Sequence, residues 1–71
     1  MTDTIKLEYF LKKRKITKKS YADELGISIQ GLYNKLNNST EFKQAEIVTT
    51  CKLLNLSNAE RDSIFFAKKV D

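Results

Sequence analysis

The chain has 71 residues, a formal net charge of +4 and a hydrophobic share of 41%, which allows one small domain with a single core. One cysteine and no histidine exclude a disulfide framework and argue against a zinc site. No apolar run approaches the roughly 18 residues of a membrane span, and the amino-terminal segment lacks a signal-peptide core, so we expect a soluble cytoplasmic protein.

Apolar residues at three- and four-residue spacing predict three helices in the first half of the chain. The predicted buried faces are Leu7, Phe10 and Leu11 in residues 4–14, Tyr21, Ala22 and Leu25 after Thr17, and Leu32 and Leu36 after Ser28. Thr17 and Ser28 are suitable N-caps because their hydroxyls can accept a hydrogen bond from the first helical turn. Gly26 is expected to end the second helix in a left-handed conformation.

Two further helices are predicted in the second half. The fourth covers residues 43–54, with Ile47, Val48, Cys51 and Leu54 on its buried face and Asn55 at its end. Ser57 and Glu60 form a capping box that opens the fifth helix, which is predicted to reach about Lys69. The chain is therefore predicted to be a compact, single, all-α domain of five helices over residues 1–71. Its predicted core is Phe10, Leu25, Leu32, Leu36, Val48, Cys51 and Leu54.

Residues 17–37 have the features of a helix-turn-helix. Ala22 is small where the two helices would cross, Gly26 allows a tight turn, and Ile27 is apolar at the corner. Leu32 and Leu36 would anchor the third helix in the core. Its opposite face would then be able to enter the major groove of DNA.

That opposite face is predicted to carry carboxamides. At 100° per residue, Gln30, Asn34 and Asn37 lie within roughly 60° of one outward direction. Glutamine and asparagine both donate and accept hydrogen bonds, and either can pair bidentately with adenine in the major groove. For Asn37 and the following Asn38, termination of the helix is the alternative explanation.

A dense basic cluster precedes this unit, with six positive charges in residues 12–19. A solvated helix end is one explanation, because cations favour a helix carboxyl terminus. Contact with a nucleic-acid backbone is the other, because basic clusters neutralise phosphates and release counterions. The candidate phosphate contacts are Lys13, Arg14, Lys18, Lys19, Ser28, Lys35, Asn38 and Lys43.

The stretch ITKKSYADELGISIQGLYNKLNN resembles the helix-turn-helix family of Cro-like and repressor proteins from phages and bacteria. The matching positions are Thr17, Tyr21, Ala22, Leu25, Gly26, Ile27, Ser28 and Leu32. The stretch NKLNNSTEFKQAEIVTTCKLLNLSNAERDSIFF looks like a small Cro-like branch from temperate phages of Gram-positive bacteria. The resemblance covers about residues 5–68 and implies a lambda-repressor-like fold that binds DNA in a bacterial cytoplasm. It also implies that the residues entering the groove are Ser28, Ile29, Gln30, Tyr33 and Asn34.

Three positions depart from that family pattern. Lys18 replaces a common glutamine that contacts phosphate, and lysine offers only a point charge there. Gly31 lies in mid-helix, so either its backbone approaches another group closely or the helix is weakened by about 0.5–1 kcal/mol relative to alanine. Thr50 lies where the family usually has leucine.

Phe65 and Phe66 predict a protein interface at the fifth helix. Adjacent helical side chains point about 100° apart, so one core can hardly bury both rings. We expect one ring to be buried in the monomer and the other to contact a second chain together with Ile64 and Val70. The alternative is that the exposed ring merely lies along the domain surface.

Two functions are compatible with these features. The first is a sequence-specific transcriptional regulator, a Cro-like repressor of a phage lysis–lysogeny switch that binds double-stranded operator DNA, either alone or as a homodimer. The second is an antirepressor that binds the cognate phage repressor through the third or fifth helix, and the apolar Ile29 and Tyr33 keep it open. An enzyme is not expected because Asp23 and Glu24 have no catalytic partner, and no metal, cofactor, small molecule or membrane is predicted as a ligand.

Overall fold

The computed structural model describes residues 1–67, which form five α-helices joined by short connections. The helices are α1 (Thr4–Lys13), α2 (Lys18–Leu25), α3 (Ile29–Leu36), α4 (Gln44–Leu54) and α5 (Asn58–Phe65). No strand occurs in this part of the chain, so the predicted compact all-α fold of five helices is confirmed there. Within the same residues, no helix has both the length and the apolar character needed to cross a bilayer.

One core takes side chains from all five helices and from the α3–α4 connection. Its buried apolar residues are Leu7, Phe10, Leu11, Tyr21, Ala22, Leu32, Leu36, Phe42, Leu54, Ile64 and Phe65. Leu25 is half-buried against this cluster. The predicted core positions of α1 and α3 are therefore confirmed, since helical spacing alone defines the inward face of a short amphipathic helix.

The buried face of α4 differs from the prediction, which was wrong for Val48 and only partly right for Cys51. Val48 is 47% exposed and Cys51 is half-buried, whereas Thr50 is fully buried together with the predicted Leu54. The Thr50 hydroxyl donates to the Glu46 carbonyl oxygen at 2.8 Å, so it accepts from the Tyr21 phenol at 2.6 Å. Burial raises the pKa of Tyr21 well above its ordinary value, which keeps the phenol protonated as a donor. Thr50 can be buried because its hydroxyl is fully satisfied.

Four helices are followed by a residue in the left-handed region. These residues are Lys15 (φ 58°), Gly26 (φ 71°), Asn38 (φ 60°) and Asn55 (φ 52°). In each case the next N–H donates to a carbonyl five residues earlier: Ile16 to Leu11 at 2.9 Å, Ile27 to Ala22 at 3.1 Å, Ser39 to Asn34 at 2.8 Å and Leu56 to Cys51 at 3.0 Å. This bond is the mark of a Schellman motif. The left-handed positions predicted at Gly26 and Asn55 are confirmed, whereas that of Lys15 was not predicted.

Replacing Lys15 with glycine is expected to stabilise the protein by about 0.5–1 kcal/mol. A lysine in this conformation is strained by about 1–2 kcal/mol, and the extra freedom of glycine in the unfolded chain cancels only part of that gain. Lys13→Gly is the matched control, because Lys13 is the last residue of α1 and the substitution should cost about 0.5–1 kcal/mol. Urea unfolding followed by circular dichroism measures both, and an equal loss in the two variants would contradict strain at Lys15.

The helix α5 begins as predicted and ends earlier than predicted. The Ser57 hydroxyl accepts from the Glu60 N–H at 3.1 Å, and the Glu60 carboxylate accepts from the Ser57 N–H at 2.8 Å. The second bond lowers the pKa of Glu60. The helix ends at Phe65 with Phe66 as its C-cap, at a φ of −121°, and the predicted end at about Lys69 lies outside the described residues.

Candidate nucleic-acid interface

The helices α2 and α3 pack against each other across a three-residue turn, Gly26–Ser28. The Thr17 hydroxyl accepts from the Ser20 N–H at 3.1 Å, and the Ser28 hydroxyl accepts from the Gly31 N–H at 3.0 Å. Both predicted N-caps are therefore confirmed. Because the caps and the turn fix both helices, the direction in which α3 presents its outer face is also fixed.

The outer face of α3 combines amides with two apolar side chains. Ile29 and Tyr33 are 43% and 41% exposed, Gln30 is exposed, and Asn34 is half-buried. Gln30 Nε2 donates to Asn34 Oδ1 at 3.2 Å. This bond uses one donor of Gln30 and one acceptor site of Asn34, so each amide retains groups that can bind a ligand. Leu32 is fully buried on the opposite face and holds the helix in the core.

Asn37 and Asn38 end α3 and are both exposed. Asn37 is the C-cap, with a φ of −90°, and Asn38 takes the left-handed conformation that asparagine tolerates. The alternative explanation, helix termination, therefore describes the backbone of Asn38. The exposed position of the Asn37 side chain beside α3 keeps it within the candidate site.

Gly31 is confined by the cap of its own helix. A Cβ placed there would lie 3.2 Å from Ser28 Oγ, closer than an ordinary van der Waals contact. Of the two explanations for this glycine, close approach is the one that the geometry favours, because the approaching group is the hydroxyl that caps α3.

The predicted phosphate contacts fall into different environments. Those exposed at the surface are Lys13, Arg14, Lys19, Ser28, Asn38 and Lys43. Arg14 also donates from Nε to the Leu54 carbonyl oxygen at 3.1 Å, so it helps to terminate α4. Lys19 lies 3.9 Å from Asp23, and both side chains are highly exposed. Because water screens the two charges, their attraction is weak.

Lys35 does not belong with the exposed cations, and its assignment as a phosphate contact is corrected. Its ammonium is buried, 3.1 Å from the Glu46 carboxylate, and it donates to the Glu41 carbonyl oxygen at 3.0 Å. It also lies 5.7 Å from the centroid of the Phe42 ring. A buried ammonium that is already paired is not available to a ligand at the surface, so Lys35 ties α3 to the α3–α4 connection and to α4.

Lys18 is held by residues of two other helices. Its ammonium lies 2.8 Å from the Glu8 carboxylate of α1 and 5.9 Å from the centroid of the Tyr33 ring of α3. Glu8 raises the pKa of Lys18, mainly through their hydrogen bond and to a smaller extent through the negative charge of its carboxylate. Sequence spacing did not identify Glu8 as part of the site, because residues 8 and 18 lie in different helices and no periodic pattern relates them.

The predicted protein interface at α5 is reduced to one aromatic ring. Ile64 is fully buried and Phe65 is 4% exposed, so both belong to the core, whereas Phe66 is 57% exposed. The expectation that one ring is buried and the other exposed is confirmed, and the assignment of Ile64 and Phe65 to an interface is corrected. Phe66 borders an open groove of about 540 Å³ that is also lined by Phe42, Gln44, Ile47, Val48 and Arg61. Val70 lies outside the described residues.

Charge is distributed unevenly along the fold. Residues 4–43, which contain α1 to α3, hold nine lysines and arginines but only four aspartates and glutamates. Residues 44–67, which contain α4 and α5, hold two lysines and arginines and three aspartates and glutamates. The positive charge of the described chain is thus concentrated in the part that carries the outer face of α3.

Comparison of the chain with protein-family models, curated proteins and solved structures gives no match.

Proposed function

We propose that the protein is a sequence-specific DNA-binding regulator of transcription. In this proposal α2, the Gly26–Ser28 turn and α3 act as a helix-turn-helix, and α3 enters the major groove. The observation that carries the proposal is the outer face of α3, where the exposed Gln30 and the half-buried Asn34 lie with two apolar side chains on a helix that contains no carboxylate. Because no carboxylate of α3 repels the DNA phosphates, such a face can approach a duplex closely.

The side chains of this face match the chemistry of base edges. Gln30 and Asn34 can each form paired hydrogen bonds with adenine, and their mutual bond orients the two amides before binding. Ile29 and Tyr33 supply apolar surface that suits the methyl group of thymine. The proposed groove therefore contains A·T pairs opposite the centre of α3.

The basic half of the fold supplies the sequence-independent part of binding. Lys13, Arg14, Lys19 and Lys43 are exposed, and each can neutralise a phosphate and release a counterion. Ser28 and Asn38 at the two ends of α3 can donate further hydrogen bonds to the backbone. The resemblance to Cro-like regulators supports the finer proposal of a lambda-repressor-like fold that acts on operator DNA of a phage or prophage.

A second candidate function is an antirepressor that binds a partner repressor. It is favoured by the exposure of Phe66, which a monomeric DNA reader does not need, and by the apolar Ile29 and Tyr33 on α3. Under this function the groove beside Phe66 or the face of α3 would receive a protein instead of DNA.

Gln30→Ala is expected to relax the sequence preference of the protein by about 1–3 kcal/mol at one base pair, because one bidentate contact is lost. Gln44→Ala is the matched control, since Gln44 is an exposed glutamine at the start of α4, outside the proposed reading face. Lys43→Ala should weaken binding to all sequences alike. Fluorescence anisotropy would measure these affinities on duplexes enriched from a random pool and on their single-base variants.

Two outcomes of the same assay separate the candidate functions. Wild-type affinity that falls steeply with salt, with a preference lost in Gln30→Ala alone, supports DNA reading. A different pair of results would support the antirepressor and contradict the primary proposal. The wild type would bind no duplex, and the immobilised wild type would retain the cognate phage repressor while immobilised Phe66→Ala would not.

A further inference from the structure

The ion pair between Glu8 and Lys18 lies beside the proposed reading face. The two side chains come from α1 and α2, are 38% and 39% exposed and approach to 2.8 Å. Lys18 also lies against the Tyr33 ring, so it is adjacent to a residue of the outer face of α3. Water and ligands can therefore reach a lysine that the proposed function would place close to the DNA backbone.

The pair borders an open pocket between the end of α1 and the start of α2. Its volume is about 270 Å³, and its lining residues are Glu8, Leu11, Lys12, Ile16 and Lys18. Two of these carry ammonium groups and one carries a carboxylate. The pocket lining therefore has a formal charge of +1, and its one carboxylate comes from the chain itself.

We propose that Glu8 competes with the DNA backbone for Lys18, so that binding exchanges the carboxylate for a phosphate. This inference rests on the proposed DNA-binding function and concerns the same site. Glu8 is then a positioning residue: it holds Lys18 beside Tyr33 in the unbound protein, and it lowers affinity for every sequence alike.

The energies of the two partners favour this exchange. An exposed ion pair contributes little to stability because solvent screens both charges. A contact between lysine and a duplex phosphate gains more, because it releases a condensed counterion. The hydrogen bond with Glu8 raises the pKa of Lys18, and an ordinary lysine is already protonated at neutral pH, so the exchange involves no proton. The exchange is thus a replacement of one anion by another.

The Lys19–Asp23 pair provides an internal comparison. Its atoms are 3.9 Å apart, both side chains are far more exposed than those of Glu8 and Lys18, and both residues lie on α2. Asp23→Asn removes the same unit of negative charge from the basic half without breaking a short contact. The difference between Glu8→Gln and Asp23→Asn therefore isolates the competition at Lys18 from the general effect of net charge.

The experiment measures the affinity for a duplex of arbitrary sequence at several salt concentrations, for each variant with Lys18 and with Lys18→Met. With Lys18 present, Glu8→Gln should tighten binding about 1.5- to 5-fold near 0.1 M salt, which is the value of an exposed ion pair. The slope of log K against log salt should change by much less than the ~0.9 of one phosphate contact, because Lys18 contacts a phosphate in both complexes. Asp23→Asn should give a smaller gain. In the Lys18→Met background, Glu8→Gln should give no larger gain than Asp23→Asn.

Other results would overturn the inference. If Glu8→Gln leaves affinity unchanged or weakens it while its melting temperature matches the wild type, Glu8 is not a competitor. If its gain is equal with and without Lys18, the effect comes from net charge. If no variant, wild type included, shows salt-dependent binding, the proposed function fails and the exchange fails with it, whereas wild-type binding without a Glu8 effect overturns the exchange alone.

Discussion

Glu46→Ala is expected to destabilise the fold by about 3–5 kcal/mol, because it leaves the buried Lys35 ammonium without its carboxylate. The same carboxylate accepts from the Lys43 N–H at 2.8 Å at the start of α4, so the substitution also removes part of a cap. Urea unfolding followed by circular dichroism measures the loss. For a domain of this size it could abolish the cooperative transition.

Two further variants test the cause of that loss. Glu46→Gln should cost less, since an amide oxygen can still accept from Lys43. Adding Lys35→Met to Glu46→Ala should recover part of the stability, because it removes the uncompensated charge. Glu24→Ala on the exposed face of α2 should change stability by no more than about 0.5 kcal/mol. A Glu46→Ala variant as stable as Glu24→Ala would show that the buried pair contributes nothing.

Leu32→Ala is expected to cost about 2–5 kcal/mol, because a fully buried leucine is replaced and a cavity is left between α3 and the core. Ile29→Ala lies three residues earlier on the same helix, is 43% exposed in the wild type and should change stability by less than about 1 kcal/mol. Thermal unfolding of both variants gives the comparison. Similar losses would mean that α3 is rotated from the orientation described.

The same two variants should weaken DNA binding for different reasons. Ile29→Ala should weaken binding while the domain stays folded, because Ile29 belongs to the outer face. Leu32→Ala should weaken binding only to the extent that the domain unfolds. An osmolyte such as sucrose, at a concentration that restores the fold of Leu32→Ala, should therefore restore its DNA binding as well.

Local sequence signals predicted most of the helix boundaries. Thr17, Ser28 and Ser57 cap the helices they were expected to cap, and Gly26 and Asn55 take left-handed conformations after α2 and α4. These features depend on interactions within about six residues, so a single sequence contains the information. The identity of the side chain is sufficient for a cap, because its hydroxyl reaches only its own first turn.

Long-range features were not predictable in the same way. The sequence offered Val48 and Cys51 as apolar candidates for the core, but α4 packs with Thr50 inward because Tyr21 from α2 supplies a hydrogen-bonding partner. Likewise, Lys35 counts as one more basic residue until the position of Glu46 is known. Charge and hydropathy describe a residue alone, whereas burial depends on a partner that is distant in the chain.

The repeated left-handed closure of the helices has a consequence for the kinetics of folding. Each closing bond after α1 to α4 joins groups only five residues apart, and the connections between helices contain three to seven residues. Short loops lose little entropy on closure, and a topology dominated by local contacts has a low barrier. The chain should therefore collapse to its native topology within microseconds to milliseconds. Such a rate leaves the apolar side chains of the completed, unfolded chain exposed for only a short time.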